Sequence, residues 1–571
     1  MTDASSPEGA QADKRLKIGL VVDSSDVSTY IRDLAQWGIS RDDLVFSHLI
    51  MQDIRADARS RIGRIVKALR RYGPWVFASL LGFMILSALE RRMLRRSQRH
   101  KDHLESRDIG ALVPETVLVT PQVSASGLVH TFSPGDVDKI RSLKLDVLVR
   151  CGSGILRGDI LSAAKFGILS FHHGDNRINR GGPAGFWEVY QKSAQTGFVI
   201  QRLTEELDGG DVLCAGCFPT QSFYLLNQAF LYKKSNYYLK KLLVEIARLG
   251  NLPSPRPEVP YSNPLFRVPR LHQQLRYGVY LLGVVGGKVL RRLRGNQEFR
   301  WNIAFSRRNW RDTVMWRATG VPNPKGHFLA DPFILREQGR DYCFVEDYDV
   351  SCGKGSIAVY EFVGAEAKRL GDAVEEDFHM SFPFLFRYES KLYMCPESSG
   401  NRDIRVYECV DFPLKWRHAS TLMSDVSAAD TMLFPYRDRW WMLTNIDPSG
   451  CDDHCSELSV FHADSPLSDA WWPHPGNPVI VDAACARNGG LIRDETGIFR
   501  VSQKQGFGVY GAGFRINKIT DLDFETYEER EIAEVEPHFL AGAVGTHHMT
   551  SNGYVTVFDF ETRSPSARLC R

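Results

Sequence analysis

The chain has 571 residues, of which 43% are hydrophobic and 24% are charged. This length exceeds one ordinary core and predicts two or three domains, and the composition excludes wholesale disorder. A formal net charge of +3 is close to zero and gives no indication of nucleic-acid binding. The chain does not open with a signal peptide, so we expect a cytoplasmic protein with reduced thiols.

The first half alternates strand and helix patterns after a polar tail over 1–15. "LKIGLVVDS" (16–24) reads as a buried strand, and "DVDKIRSLKLDVLVRCGSGIL" (136–156) as helix, strand and glycine-containing turn. "GDILSAAKFGILSFHHGD" (158–175) repeats the order of helix and strand. The alternation predicts a Rossmann-like α/β domain with a parallel sheet over 16–245, with functional residues at the carboxyl ends of the strands.

Two segments combine apolar and basic residues. Residues 59–101 contain 12 Lys or Arg and one acid, around an uncharged run of 16 residues at 74–89. A spanning helix needs about 20 apolar residues, so this run favours a helix lying at a membrane surface. A similar pattern at 276–295 supports peripheral membrane contact through 63–101 and 270–295. The alternative is a pair of core helices with solvated arginines.

A proline-rich linker with a basic amphipathic segment (246–296) precedes a region in which few helical patterns occur. From about residue 300, short aromatic-rich strands repeat with a period of roughly fifty residues. Four units begin with similar phrases, "HFLADPFIL", "HMSFPFLF", "AADTMLF" and "RNGGLI". A shorter fifth unit needs the early strand "RWNIAFSR" to complete it. The pattern predicts an all-β five-bladed propeller over 297–571, whereas a β-sandwich would not predict the repeated order.

Residues 170–189, "SFHHGDNRINRGGPAGFWEV", follow a predicted strand end and concentrate polar side chains. A histidine at such an end, oriented by a carboxylate from another loop, can accept a proton from an amine. His172 fits this role. Strand alternation directs His173 to the opposite face, which disfavours a shared metal site with Asp175. Arg180 suits either an anion clamp or a brace within the loop.

This motif, with "TGFVIQRLTEELDGGDVL" at 196–213, resembles the catalytic domain of 10-formyltetrahydrofolate-dependent formyltransferases, the family of methionyl-tRNA and sugar N-formyltransferases. The resemblance covers roughly 135–215. It implies that His172 and Asp208 are catalytic and that 10-formyltetrahydrofolate is the cofactor. Ser170 stands where the family has an asparagine that polarises the formyl oxygen. His173, Asp175 and Arg180 become candidate substrate-binding residues.

The phrases "FLADPF", "YMCPESS" and "RNGGLIRDETGIFRVSQ" resemble the N-terminal propeller of plant glucosamine inositolphosphorylceramide transferases, and through it furanosidase-type propellers. The resemblance implies that Asp331, Glu397 and Asp430 face a central funnel and bind carbohydrate. Hydrolysis by a carboxylate pair is the alternative. Tryptophans 440, 441, 471 and 472 are predicted to pack in the core.

The combined expectation is an enzyme that transfers a formyl group to an amino group of a sugar in an envelope glycan or glycolipid. It would act in the cytoplasm or peripherally on the inner membrane face, without nucleic acid or a metal. Cys214 and Cys217, a lone C-x-x-C pair, are interpreted as strand cysteines because no second pair completes a zinc site. The alternatives are a non-catalytic glycan-binding scaffold and methionyl-tRNA formylation, which would need a basic RNA-binding domain.

Overall fold

The computed structural model describes residues 15–54, 73–94, 105–125, 127–206, 209–257, 260–294 and 300–562. The chain divides into two compact units. One comprises 1–191, 196–216 and 222–281, and the other comprises 192–195, 217–221 and 282–571. The predicted order, an α/β region followed by an all-β region, is confirmed.

The elements of the α/β region are, in chain order, β1 (Leu16–Val22), β2 (Asp26–Ser28), α1 (Thr29–Ile39), β3 (Leu44–Gln52), α2 (Pro74–Leu94), β4 (Ser106–Asp108), β5 (Glu115–Val119), β6 (Gln122–Val123), β7 (Val129–Thr131), α3 (Pro134–Ser142), β8 (Val147–Arg150), β9 (Ile155–Leu156), β10 (Ile168–His172), α4 (Phe186–Gln191), β11 (Gln195–Arg202), β12 (Asp211–Pro219), α5 (Tyr224–Leu249) and α6 (Leu271–Arg294).

Seven of these strands form one sheet in the order β12-β11-β10-β8-β1-β3-β5. Strands β1, β3, β5, β8 and β10 pair in parallel, as predicted. β11 pairs antiparallel to β10, so the sheet is mixed. Two parallel neighbouring strands need a connection that crosses a face of the sheet. Because β10 and β11 are antiparallel, the connection between them begins and ends at the same edge of the sheet.

Alternating side chains of the central strands supply two hydrophobic cores. Ile18 and Leu20 of β1 pack on one face with residues of α1 and α5. Val21 and Leu148 pack on the other face with residues of α3. Helices on both faces explain why the central strands are almost continuously apolar. The parallel strands all end at one edge, and that edge carries the motif around His172.

Helix α2 is longer than the predicted uncharged run. It continues past residue 89 to Leu94 and includes Glu90, which is fully buried. By length and composition alone, α2 is sufficient to cross a membrane. The rest of the predicted basic insertion, at 55–72 and 95–104, lies outside the described residues.

The all-β region contains β13 (Arg300–Ser306), β14 (Thr319–Val321), β15 (His327–Glu337), β16 (Arg340–Asp349), β17 (Lys354–Val363), β18 (Glu366–Val374), β19 (Ser381–Tyr388), β20 (Lys391–Glu397), β21 (Asp403–Asp411), β22 (Lys415–Ser424), β23 (Ala428–Tyr436), β24 (Arg439–Ile446), β25 (Glu457–Ala463), β26 (Trp472–Pro473), β27 (Ile480–Val481), β28 (Asn488–Asp494), β29 (Gly497–Gly506), β30 (Val509–Leu522), β31 (Tyr527–Val535), β32 (Ala543–Gly545), β33 (Met549–Ser551) and β34 (Thr556–Thr562).

These strands form antiparallel sheets that follow the sequence repeat. Four sheets are built from β15–β18, β19–β22, β23–β27 and β28–β31. A fifth combines the first strands of the region with the last, because β13 pairs with β34. The prediction that the early strand "RWNIAFSR" completes the fifth unit is therefore confirmed.

The first strand of each of the four complete sheets has a bulge at the same point. The pairing shifts after Ala330, Ser381, Ala429 and Asn488. In three of the bulges the first residue after the shift has a left-handed backbone, with φ of 47° at Asp331, 46° at Phe382 and 49° at Asp430. In the fourth bulge the second residue, Gly490, has a positive φ of 126°. Such bulges redirect a side chain out of the regular alternation. Successive sheets therefore carry bulges at corresponding points of their first strands.

The first strands of the four complete sheets and β33 of the fifth sheet contact one another in cyclic order. β15 contacts β19 and β33, β19 contacts β23, β23 contacts β28, and β28 contacts β33. A cavity of about 410 Å³ is lined by residues from all five sheets. Trp440, Trp441 and Trp471 are buried, as predicted. Trp472 is 47% exposed, which corrects its prediction as a core residue, because it lies on the two-residue strand β26 at the end of its sheet.

Candidate functional site

Strand β10 separates the two histidines of the motif onto opposite faces. His173 stacks on Phe171 at 5.2 Å between ring centroids and lies 4.3 Å from the ring of Tyr232. Ser170 and His172 occupy the other face, as the alternation of a strand requires. His173 therefore packs among aromatic side chains, and the structure does not bring it beside His172.

The loop after β10 holds the ring of His172. His172 Nε2 lies 2.9 Å from the carbonyl oxygen of Asn179, so Nε2 donates a proton to this bond and Nδ1 is the basic nitrogen. Asp175 Oδ2 pairs with Arg177 Nη2 at 2.7 Å. Burial opposes ionisation of Asp175, but the hydrogen bonds from Arg177 outweigh it and lower the pKa of the carboxyl.

Ser170 is buried next to a cation that the sequence analysis did not single out. Arg150, the last residue of β8, pairs directly with Ser170 of β10. Arg150 Nη1 donates to Ser170 Oγ at 3.4 Å, and Arg150 Nε donates to the carbonyl of Gly154 at 2.9 Å. In the sequence, Arg150 could have been identified from its position at the end of the strand "VLVR", because the ends of parallel strands, including that of His172, lie at one edge of the sheet. A guanidinium therefore lies beside the Ser170 hydroxyl.

A second polar group lies where the strand order reverses between β1 and β8. Gln52 Nε2 donates to Asp23 Oδ1 at 3.0 Å, and Gln52 Oε1 lies 2.8 Å from His130 Nδ1. The backbone amide of Ser153 donates to Asp23 Oδ2 at 2.8 Å. Such reversal points form the crevice that binds ligands in open α/β sheets. These residues come from four separate segments, so no local pattern marked them.

The arginine of the "RGGP" segment is used within the loop. The Arg180 guanidinium lies over the ring of Tyr261 at 4.5 Å, and its Nε donates to the carbonyl of Asn176. The Phe266 amide donates to the Arg180 carbonyl at 2.9 Å. A Cβ at Gly181 would lie 2.1 Å from the Phe266 oxygen, which explains the glycine. This segment braces the chain over 261–266. Asp208 lies outside the described residues.

The all-β region gathers three predicted carboxyl groups around an arginine. Asp331 and Asp430 sit at equivalent bulges, and Glu397 ends β20. Arg487 Nε lies 2.6 Å from Asp430 Oδ2, and Arg487 Nη2 lies 3.6 Å from Glu397 Oε2. The arginine, just before the "NGG" of the fourth repeat, was missed by the sequence analysis. Residues about 160 positions apart in the chain therefore form one charged cluster.

The pKa values of two carboxyl groups in this cluster are shifted in opposite directions. Burial raises the pKa of Asp430 well above its ordinary value, although Arg487 opposes the change. Burial also acts on Glu397, but the charge of Arg487 and a hydrogen bond from Ser399 lower its pKa. The cluster therefore combines a carboxylic acid, which can donate a hydrogen bond, with a carboxylate, which can only accept one.

Asp331 faces a histidine pair from the fifth repeat. His547 Nε2 and His548 Nδ1 lie 3.6 and 3.7 Å from Asp331 Oδ1, and His547 Nδ1 lies 2.6 Å from Asp559 Oδ2. Burial, opposed by His547 and reinforced by Asp559, raises the pKa of Asp331 to about 6. Asp331, His547 and Asp559 offer ligand atoms within 4.8 Å of one another, a set that can hold a metal ion. In the sequence, the adjacent histidines at 547 and 548 could have indicated this group of residues.

Aromatic and polar groups surround the cluster. Trp301 stacks on His547 at 4.0 Å, and Tyr510, 40% exposed, lies 5.2 Å from the Arg487 guanidinium. His379 Nε2 lies 3.7 Å from Glu346 Oε1. Burial and the neighbouring carboxylates raise the pKa of Glu346 well above its ordinary value. Aromatic surfaces beside convergent polar groups suit a hydroxylated ligand with apolar faces.

The chain is similar to known proteins in both of its regions. A family described as "Glucosamine inositolphosphorylceramide transferase 1, N-terminal" matches residues 316–542. The protein of that name from Oryza sativa subsp. japonica is 33% identical over 208 residues, 36% of this chain and 28% of the relative. Methionyl-tRNA formyltransferase from Bacillus subtilis is 30% identical over 79 residues, 14% of this chain and 25% of that protein.

Among solved structures, the catalytic domain of a GH62 α-L-arabinofuranosidase from Coprinopsis cinerea is 12% identical, with a TM-score of 0.34. That match covers 48% of this chain and 93% of the solved one. The chain thus spans less than a third of the length of the curated relatives it matches. It is similar over much of its all-β region to part of a plant protein named as a transferase, and over a shorter stretch to a bacterial formyltransferase.

Proposed function

We propose that this chain is a transferase that modifies a saccharide, with transfer chemistry in the α/β unit and sugar binding in the all-β unit. The observation that carries the proposal is the cluster of Glu397, Asp430 and Arg487, flanked by Asp331. An acid, a carboxylate and a guanidinium provide the donors and acceptors that sugar hydroxyl and amino groups need.

We infer that the five sheets of the all-β unit are blades of a propeller. The cyclic contacts between first strands support this arrangement, as does the pairing of β13 with β34, which joins the beginning of the region to its end. The equivalent bulges then direct Asp331 and Asp430 toward the middle of the ring. A propeller thus accounts for the convergence of carboxyl groups from distant repeats.

The transfer proposed for the α/β unit moves a formyl group from 10-formyltetrahydrofolate to the amino group of a sugar. His172 Nδ1 accepts the proton of the attacking amine, and the amine nitrogen forms a bond to the formyl carbon. The bond from that carbon to the folate nitrogen then breaks, and the folate nitrogen takes up a proton. The oxyanion formed in between is stabilised by Arg150, which stands beside Ser170. Asp208 is proposed to stabilise His172 once Nδ1 has taken up the proton, and Asp175 and His173 to support the pocket.

The transfer is tested with purified full-length protein, 10-formyltetrahydrofolate and a panel of nucleotide-linked amino sugars and amino glycolipids. Product is identified by mass spectrometry. His172→Ala and Arg150→Met should lower the rate at least about 100-fold, the usual loss for an acid–base or oxyanion group. His418→Ala, which changes an exposed histidine of the all-β unit, is the matched control. Full activity of the two site variants would contradict the assignment.

Sugar binding is tested separately by calorimetry with the same acceptors. Asp430→Asn should weaken binding at least about tenfold, because the carboxyl group and its contact with Arg487 are changed together. Asp425→Asn is the matched control, since Asp425 also has a left-handed backbone but is exposed. Sugar binding without formyl transfer would favour the glycan-binding scaffold, and release of free sugar would favour a glycoside hydrolase. Formylation of methionyl-tRNA alone would overturn the saccharide proposal.

A further inference from the structure

Helix α2 is attached to the α/β unit along one side for most of its length. Gln274 Nε2 donates to the carbonyl of Ser79 at 2.6 Å, and a Cβ at Gly82 would lie 2.5 Å from Gln274 Oε1. One turn later the ring of Phe83 packs on Tyr224 at 5.5 Å. The attached side therefore contains small and polar positions as well as an aromatic ring.

The attachment continues at the carboxyl end of α2. Glu90 Oε1 accepts a hydrogen bond from the Leu225 amide at 2.7 Å, and Glu90 Oε2 accepts one from Tyr277 Oη at 2.8 Å. Leu94, four residues on, is buried. Ser79, Phe83, Glu90 and Leu94 recur at the spacing of one helix face. A helix bound in this way to its own unit is not free to cross a bilayer, although its length would allow it.

The opposite side of α2 is apolar and exposed. Met84 is 68% exposed, and the first half of α6 adds Leu275 at 72% and Val279 at 70%. We define the apolar face as the following exposed side chains: Leu81, Met84, Ile85, Leu89, Leu275 and Val279. Water-soluble helices bury the apolar side and expose the polar side. α2 reverses that pattern where it buries Ser79 and Glu90, and α6 exposes Leu275 and Val279 although it also buries Tyr277 and Leu281. Exposed apolar patches mark interaction surfaces.

The charge around the apolar face indicates its partner. Arg91 and Arg92 are exposed where α2 ends, and the segment 59–101 carries 12 basic residues against one acid. That acid is Glu90, whose side chain is buried and bonded. With Glu90 buried, every other charged residue in this segment of the sequence is basic. A protein partner would not require so uniform a charge, whereas anionic lipid head groups attract it.

We propose that α2 and the first half of α6 lie in the interfacial layer of an anionic membrane, with the apolar face among the acyl chains and the arginines at the head groups. The helices rest on the membrane without spanning it, because the opposite side of α2 is bound to α5 and α6. This proposal is independent of the transfer and sugar-binding chemistry. The proposal specifies that the apolar face of α2 and of the first half of α6 contacts the lipid.

The test is flotation of the full-length protein with vesicles of phosphatidylcholine, with and without phosphatidylglycerol. The protein should float with the anionic vesicles, and binding should fall as salt is raised. Met84→Asp combined with Leu275→Asp should weaken binding at least about tenfold, since each change places a charge in the apolar layer. Val363→Asp combined with Val410→Asp is the matched control, because these exposed valines belong to the all-β region.

Several results would overturn the proposal. One is failure of the wild-type protein to float with anionic vesicles. Another is binding by the Met84→Asp, Leu275→Asp variant that equals the wild type. Retention of the protein in membranes after alkaline carbonate extraction would show a spanning helix instead. A lipid-free dimer that the same variant dissociates, without vesicle binding, would show that a second copy covers the apolar face.

Discussion

The carboxyl group of Glu90 should make the attachment of α2 sensitive to pH. Its two oxygens accept hydrogen bonds from the Leu225 amide and the Tyr277 hydroxyl, and the residue is fully buried. Replacement by glutamine keeps the shape of the side chain and removes its ionisation. The comparison of Glu90→Gln with wild type therefore isolates the contribution of the charge.

Burial raises the pKa of Glu90 from its ordinary value of 4.5 to about 7, although the two hydrogen bonds oppose the change. At about 1.4 kcal/mol per pH unit, this difference corresponds to about 3 kcal/mol. A raised pKa in the folded state means that the protonated form is the one favoured by folding. The contribution is complete below about pH 4.5 and is lost as the pH rises through about 7.

The measurement is hydrogen exchange of peptides covering α2 and the start of α5, in the full-length protein between pH 5 and 8. Local opening is the suitable quantity because the chain has two units and global unfolding need not be two-state. After correction for the intrinsic exchange rate, the wild type should lose up to about 3 kcal/mol of protection relative to Glu90→Gln as the pH rises. Glu366→Gln, an exposed control, should leave the profile unchanged. Parallel profiles for wild type and Glu90→Gln would refute the reasoning.

Three further predictions concern the all-β region. Arg487→Met should lower the free energy of unfolding by about 3–5 kcal/mol and abolish sugar binding, because buried carboxyl groups lose their cation; thermal unfolding and calorimetry test this, and unchanged values would contradict it. Binding of a cationic amino sugar should strengthen from pH 5 to 7 as Asp331, with a pKa of about 6, ionises, whereas the N-acetylated sugar should show a flatter profile. Arg500→Lys should lower the midpoint of thermal unfolding, because the buried guanidinium donates to both oxygens of Glu529 and to two backbone carbonyls, and an ammonium cannot reach them all.

The sequence pattern was sufficient to predict the two regions and the internal repeat. Burial periodicity is a local property, so the apolar run around Leu20 and the repeated phrases around Asp331 and Asp430 identify strands without knowledge of their partners. The same local alternation correctly separated His172 from His173. The direction of β11 was not predicted, because whether a connection crosses a sheet depends on the elements packed around it.

What only the tertiary structure decided is which side chains meet. Arg487, His547 and Asp559 join Asp331 and Asp430 from other repeats, and Arg150 meets Ser170 through pairing of separate strands. Composition alone marked α2 as apolar and basic. Which side of that helix is exposed depends on the partners of Glu90 on α5 and α6. A buried carboxyl group needs hydrogen-bond partners, so the side of the helix that carries Glu90 faces the elements that supply them.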